Sequence, residues 1–208
     1  KERSLLKDML LICDGKKPVA IAGVMGGLNS EIETDTRNVL LESAYFNPVS
    51  IRKTSKTLGL NTDASHRFER GVDPQGTLLA LDRAARLIAE LGNGRILDGV
   101  IDECGNLPQS QAITLSAKQT NRLLGTDFNL TEIRDLLISV GFNTAEKTRD
   151  ALSVTAPSFR VDIKRPEDLM EEVARLSGYD HIPTTYPLIP AEARTPQTVI
   201  DHRRNAKT

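Results

Sequence analysis

Apolar residues along this chain come in short runs separated by glycine, proline and charge. Residues 18–24 (Pro-Val-Ala-Ile-Ala-Gly-Val) form an apolar run ending at glycine and valine, the pattern of a buried strand, and lead into Met25-Gly26-Gly27. Residues 38–46 predict a second strand, broken by Asn47-Pro48, with a helix starting near Pro48. From Asp73 the period changes. Asp73 reads as an N-cap with Pro74 at the first helical position, and Leu78, Leu81, Ala85 and Ile88 recur at steps of three and four. Gly92 is the expected stop. A bend at Gly92 and Gly94 then precedes a strand predicted over 95–101.

Residues 106–111 (Asn-Leu-Pro-Gln-Ser-Gln) are polar, contain proline and read as a linker. Beyond it the order is simple. A short strand at 113–115 is followed by a helix capped by Ser116, running to Leu124 and stopped by Gly125. A second helix is capped by Thr131, runs to Val140 and stops at Gly141. Alternation at Leu152 and Val154 predicts a strand over 151–156, and Pro166 opens a third helix that stops at Gly178. Helices with a small hairpin suggest a helix-turn-helix or winged-helix-like module. Pro183, Pro187, Pro190 and Pro196 mark an extended connector. The pattern is α+β, in two units.

The length of 208 residues suits one large domain or two small ones. Aromatics are 4% and Trp is absent, so the core must be mostly Leu, Val, Ile and Ala. With 27 Lys plus Arg against 28 Asp plus Glu, the chain is not globally basic, which leaves any nucleic-acid contact to a local patch. No apolar run reaches the roughly 20 residues of a spanning helix, so no membrane is expected. Cys13 and Cys104 make neither a disulfide framework nor a metal spacing, which fits a reducing cytoplasm. The first residue is Lys1 and residues 1–16 lack signal-peptide architecture, so the chain reads as a section of a longer protein.

Four places could carry chemistry. Met25-Gly26-Gly27 matches no phosphate-loop motif; it reads either as a tight turn or as a place where a ligand approaches bare backbone. Glu42 shares a strand face with Leu40 and Ala44, either as an exposed or salt-bridged charge or as an acceptor awaiting a ligand donor. Residues 60–73 are densely polar, but Ser65, His66 and Asp63 carry no nucleophile-elbow motif and identify no triad. Arg52, Lys53, Lys56, Arg67 and Arg70 make 52–70 locally basic, with no acid before Asp63; this is either a solvated face or a phosphate-facing patch. Finally, Asp168, Glu171 and Glu172 fall at i, i+3 and i+4, with Asp162 entering from the preceding loop. Hard oxygen donors suit Mg²⁺, and spacing leaves a metal site and a solvated acidic face equally open.

Taken together, these stretches resemble the beta subunits of bacterial phenylalanine–tRNA ligases. The segments that carry the resemblance are 20–27, 39–46, the signature Thr62-Asp63-Ala64-Ser65-His66-Arg67-Phe68-Glu69-Arg70-Gly71-Val72-Asp73, 157–162 and 168–175. The resemblance spans residues 16–186 and implies three parts. Residues 1–107 would be an N-terminally truncated α/β editing domain. Residues 112–186 would be a small winged-helix-like, magnesium-binding domain. Residues 187–208 would be a connector to a catalytic-like domain. Matched by position, Gly26, Glu42, Thr62 and Ala64 would line an editing pocket for tyrosine mis-attached to tRNA(Phe). Asp162, Asp168, Glu171 and Glu172 would bind Mg²⁺ shared with the alpha subunit, with Lys164 and Arg165 partly neutralising the cluster. The family's pocket histidine is expected before Lys1, so His66 is not that residue. No catalytic residue is identified, and activated water is the expected attacker. The implied partners are tRNA(Phe) and the alpha subunit in an alpha2-beta2 tetramer, with ATP a substrate of the whole ligase and not bound by this chain. The alternative is a non-catalytic nucleic-acid-binding or subunit-docking module built on residues 112–186.

Overall fold

A computed structural model describes residues 2–185, so the connector expected over 187–208 lies outside the described residues. In the first unit β1 (Leu11–Cys13), β2 (Pro18–Ile21) and β3 (Met25–Gly26) form an antiparallel sheet in that order. The links are tight turns, far too short for the crossover a parallel pair needs. Gly23 makes the second turn at φ +65°, and a Cβ there would come within 2.9 Å of Phe46 and 3.0 Å of Ile51, so both conformation and space demand glycine. Three helices follow: α1 (Pro48–Leu58), α2 (Asp63–Phe68) and α3 (Thr77–Leu91).

The expected strands at 38–46 and 95–101 are not formed. Both segments run without a β partner, and Leu40, Leu97 and Ile101 stand exposed. An apolar run becomes a strand only where another backbone edge accepts its ladder of hydrogen bonds, and neither segment has one among the described residues. The helix expected from Asp73 starts three residues later than that residue's cap would set it. The Asp73 side chain instead accepts the Gln75 N–H at 2.9 Å, closing a turn, and α3 begins at Thr77. No residue of α3 is fully buried.

The second unit follows its pattern closely. It consists of β4 (Ala112–Ser116), α4 (Ala117–Leu124), α5 (Leu130–Ser139), β5 (Asn143–Thr148), β6 (Ala151–Thr155) and α6 (Pro166–Ser177). The sheet is antiparallel in the order β4-β6-β5. Ser116 caps α4 as expected. The cap of α5, however, is Asn129 and not Thr131. Asn129 accepts the Glu132 N–H at 2.9 Å while Glu132 accepts the Asn129 N–H at 2.8 Å, a reciprocal capping box. Leu115, Ile133, Leu137, Leu152, Val154, Leu169 and Val173 are completely enclosed between the sheet and the helices. The first unit encloses far less: Ala22, Val24 and Ile51 are its buried hydrophobic residues. The two units touch where Gly71 lies against Val161.

Candidate functional site

The polar stretch 62–73 is held in place by one residue's double use. Thr62 caps α2 by accepting the Ser65 N–H at 3.0 Å, while its hydroxyl donates to the Val24 carbonyl at 2.7 Å. Ser65 returns the capping bond, accepting the Thr62 N–H at 2.9 Å, and is wholly buried. The Ser65 hydroxyl is spent on this cap and on the Thr62 carbonyl, to which it donates at 3.0 Å. The Thr62–Val24 bond brings the start of α2 beside the Met25-Gly26-Gly27 strand. Phe46 and Phe68 meet edge to face at 5.0 Å, which ties the Glu42-containing segment to the other end of α2. Ser43 donates to the Thr77 carbonyl at 2.8 Å and anchors the same segment to α3.

The glycine pair divides its work. A Cβ on Gly27 would strike the Val19 carbonyl at 2.7 Å, so Gly27 permits close strand packing. A Cβ on Gly26 would meet nothing within 4 Å, so its backbone faces open space. Ala64 is exposed and Thr62 half-buried. Glu42 is exposed over part of its surface, yet burial of the remainder pushes its carboxyl above the usual carboxylate range, and no cation or hydrogen bond opposes that shift. Gly26, Thr62 and Ala64 therefore lie on neighbouring elements, and Glu42 sits on the segment that Phe46 fastens to the far end of α2 and Ser43 to the start of α3.

The acidic residues of the second unit serve other partners. Arg160 lies at the centre, its guanidinium 5.5 Å from the Phe142 ring centroid. It donates to Asp162 twice, at 2.9 and 2.6 Å, and to Glu172 at 2.8 Å. Arg175 donates to Glu172 at 2.6 Å. Glu172, with its side chain only 8% exposed, is held by these two arginines down to a pKa of about 2. The bonds from Arg160 likewise hold Asp162 below the usual range. Asp168 accepts the backbone N–H groups of Lys164 and Arg165, each at 2.8 Å, and these lower its pKa while closing the first turn of α6. Glu171 is exposed.

The chemistry of these donors suits Mg²⁺, but as arranged here they do not form a cation site. Among the described residues, no group of three or more His, Cys, Asp or Glu side chains is placed to hold a metal ion. The neutralising charge also differs from expectation. It comes mainly from Arg160 and Arg175, while Lys164 contributes its backbone and Arg165 a long contact of 3.5 Å. The i, i+3 spacing of Glu172 and Arg175 was open to a sequence reading; the return of Arg160 across the loop was not.

Comparison with known proteins gives this arrangement a class. A B3/4 domain family matches residues 1–93, and a tRNA synthetase B5 domain family matches residues 113–179, which points to the aminoacyl-tRNA synthetase class. Among its relatives, the phenylalanine–tRNA ligase beta subunit of Syntrophus aciditrophicus is 53% identical over 90% of this chain and 24% of its own length. That of Salinibacter ruber is 50% identical over 95% of this chain and 24% of its own. That of Halalkalibacterium halodurans is 49% identical over 90% and 23%. The chain belongs to the phenylalanine–tRNA ligase beta-subunit family, and spans about a quarter of the length of these relatives.

Proposed function

We propose that the first unit removes tyrosine mis-attached to tRNA(Phe), within a ligase that joins phenylalanine to tRNA(Phe) using ATP. A pocket built for phenylalanine discriminates weakly against an isostere bearing one extra hydroxyl, so a second site must reward that hydroxyl. The observation that carries the reading is Glu42, a partly desolvated carboxylate with no donor lowering its pKa. The phenol O–H of tyrosine is such a donor; phenylalanine would leave the carboxylate unpaired, at a cost of about 1–3 kcal/mol. Around it, the open backbone at Gly26 would approach the ligand, Thr62 would line the pocket and Ala64 would leave space for the ring. These residues bind and orient. Water is the attacking group in this reading, and no protein base is assigned to it.

Magnesium, ATP, the alpha subunit and the alpha2-beta2 assembly belong to the whole ligase, working in the cytoplasm. A Mg²⁺ site on Asp162, Asp168, Glu171 and Glu172 would require these side chains to exchange their present partners. The second unit, whose three helices and antiparallel sheet support a winged-helix-like reading, would then face the alpha subunit.

Deacylation of Tyr-tRNA(Phe) tests the proposal. The complete ligase containing this chain should hydrolyse the mischarged tRNA, and Glu42→Ala should reduce the rate about tenfold or more. The 208-residue chain alone should deacylate more slowly and attach no phenylalanine. Unchanged hydrolysis in Glu42→Ala would overturn the role given to Glu42. Salt-sensitive duplex binding with no amino-acid selectivity would favour the docking alternative instead.

A further inference from the structure

The outer face of α1 is a basic surface that the editing pocket does not use. Ile51, Thr54 and Ser55 turn inward and are buried. Arg52, Lys53 and Lys56 turn outward, are exposed, and line a shallow cavity of about 300 Å³ with Pro48, Val49 and Glu69. Among the described residues, none of these three cations pairs with a carboxylate. Glu69, the acid on the rim, is already engaged by Arg70 at 3.2 Å. Arg52 and Lys56 stand one helical turn apart, where like charges repel, so the arrangement disfavours the free helix and gains from an anionic partner. The cavity also opens at the N-terminal turn of α1, whose dipole adds positive potential.

We infer that this face binds the phosphodiester backbone of RNA, beside the site where the acylated end would be read. Three closely spaced cations over an open cavity suit repeated phosphates that a groove can track. They suit a buried small anion poorly, since nothing encloses it. Contacts of this kind position a nucleic acid without reading its sequence. The inference rests on the RNA substrate of the proposed function and gives it a docking surface.

Fluorescence anisotropy with a fluorescein-labelled tRNA(Phe) transcript and the 208-residue chain tests it, across about 50 to 200 mM salt. The triple variant Arg52→Gln, Lys53→Gln, Lys56→Gln should bind about tenfold more weakly at the low end, and its slope of log K against log salt should be shallower by about 2. A variant matched in charge but placed on the second unit (Lys118→Gln, Arg122→Gln, Arg149→Gln) should leave both quantities near those of the unaltered chain. All six side chains are exposed, and circular dichroism should report unchanged helicity in each variant. No binding by the unaltered chain, an unchanged slope in the α1 variant, or an equal loss in the matched variant overturns the inference. A parallel titration with L-tyrosine separates it from the editing reading. Retained tyrosine selectivity with failed RNA results removes the docking surface alone, whereas lost selectivity in the unaltered chain removes the editing reading.

Discussion

Arg160 does for the acidic residues what a bound cation would do. It stacks on Phe142, pairs with Asp162 and Glu172, and fastens the 157–165 loop to α6. Replacing it with methionine would keep the apolar contact but leave the enclosed Glu172 with Arg175 alone. Breaking a buried pair in this way costs about 3 kcal/mol, so Arg160→Met should lower the urea midpoint of the second unit with little change in slope. The same pairing sets an acid-stability window. Glu172 has its pKa lowered from 4.5 to about 2 in the folded state, so its contribution is complete above about pH 4.5 and lost as pH falls toward 2. That contribution is on the order of 3 kcal/mol. Urea midpoints followed through this range should fall less steeply in Glu172→Gln. Glu42 works in the opposite sense. Burial raises its pKa, and the ionised carboxylate accepts the phenol O–H more strongly than the neutral carboxyl does, so tyrosine affinity should increase as pH rises and Glu42 ionises, as a calorimetric titration would record. The acid spacing at 168, 171 and 172 was legible in the sequence. The partners were not, because Arg160 reaches Glu172 only after the loop has folded back.

At the scale of elements, the sequence was most informative where a single capping or helix-breaking residue sets a boundary. Ser116, Gly125, Pro166 and Gly178 marked their boundaries, because capping is a local hydrogen-bonding requirement. Competing caps were harder to rank. Asn129 and Thr131 are both good N-caps, and the reciprocal bond from Glu132 decides for Asn129. At 38–46 and 95–101 local composition favoured strands, but a strand also needs an edge to pair with, which local composition does not contain. The helix α2 was hidden for another reason: its stabilising pattern is the Thr62–Ser65 box inside a polar stretch with little apolar period. Thr62→Ala removes both the cap and the bond to Val24, and should cost about 2 kcal/mol in thermal or urea unfolding of the first unit. Thr62→Ser, which keeps a hydroxyl, should recover most of that loss.

Over the described residues, burial is unequal. The second unit closes a continuous core around Leu115, Leu137, Leu152 and Leu169, whereas α3 encloses no residue fully. Hydrogen exchange should therefore protect β4, β6 and α6 far longer than α3, since exchange follows local unfolding free energy. Equal protection of α3 would mean that it buries more than this structure gives it. The polar run at 106–111 is a local composition signal, while the uneven depth of the cores on either side of it depends on which apolar stripes find a partner. The central claim, that Glu42 marks a site rewarding the tyrosine hydroxyl, is tested most directly by titrating the isotopically labelled 208-residue chain with L-tyrosine and L-phenylalanine by NMR. Tyrosine should shift the amides of Gly26, Thr62 and Ala64, phenylalanine should shift them much less, and Glu42→Ala should erase the difference. Equal responses to the two amino acids, or a tyrosine response that survives Glu42→Ala, would contradict it.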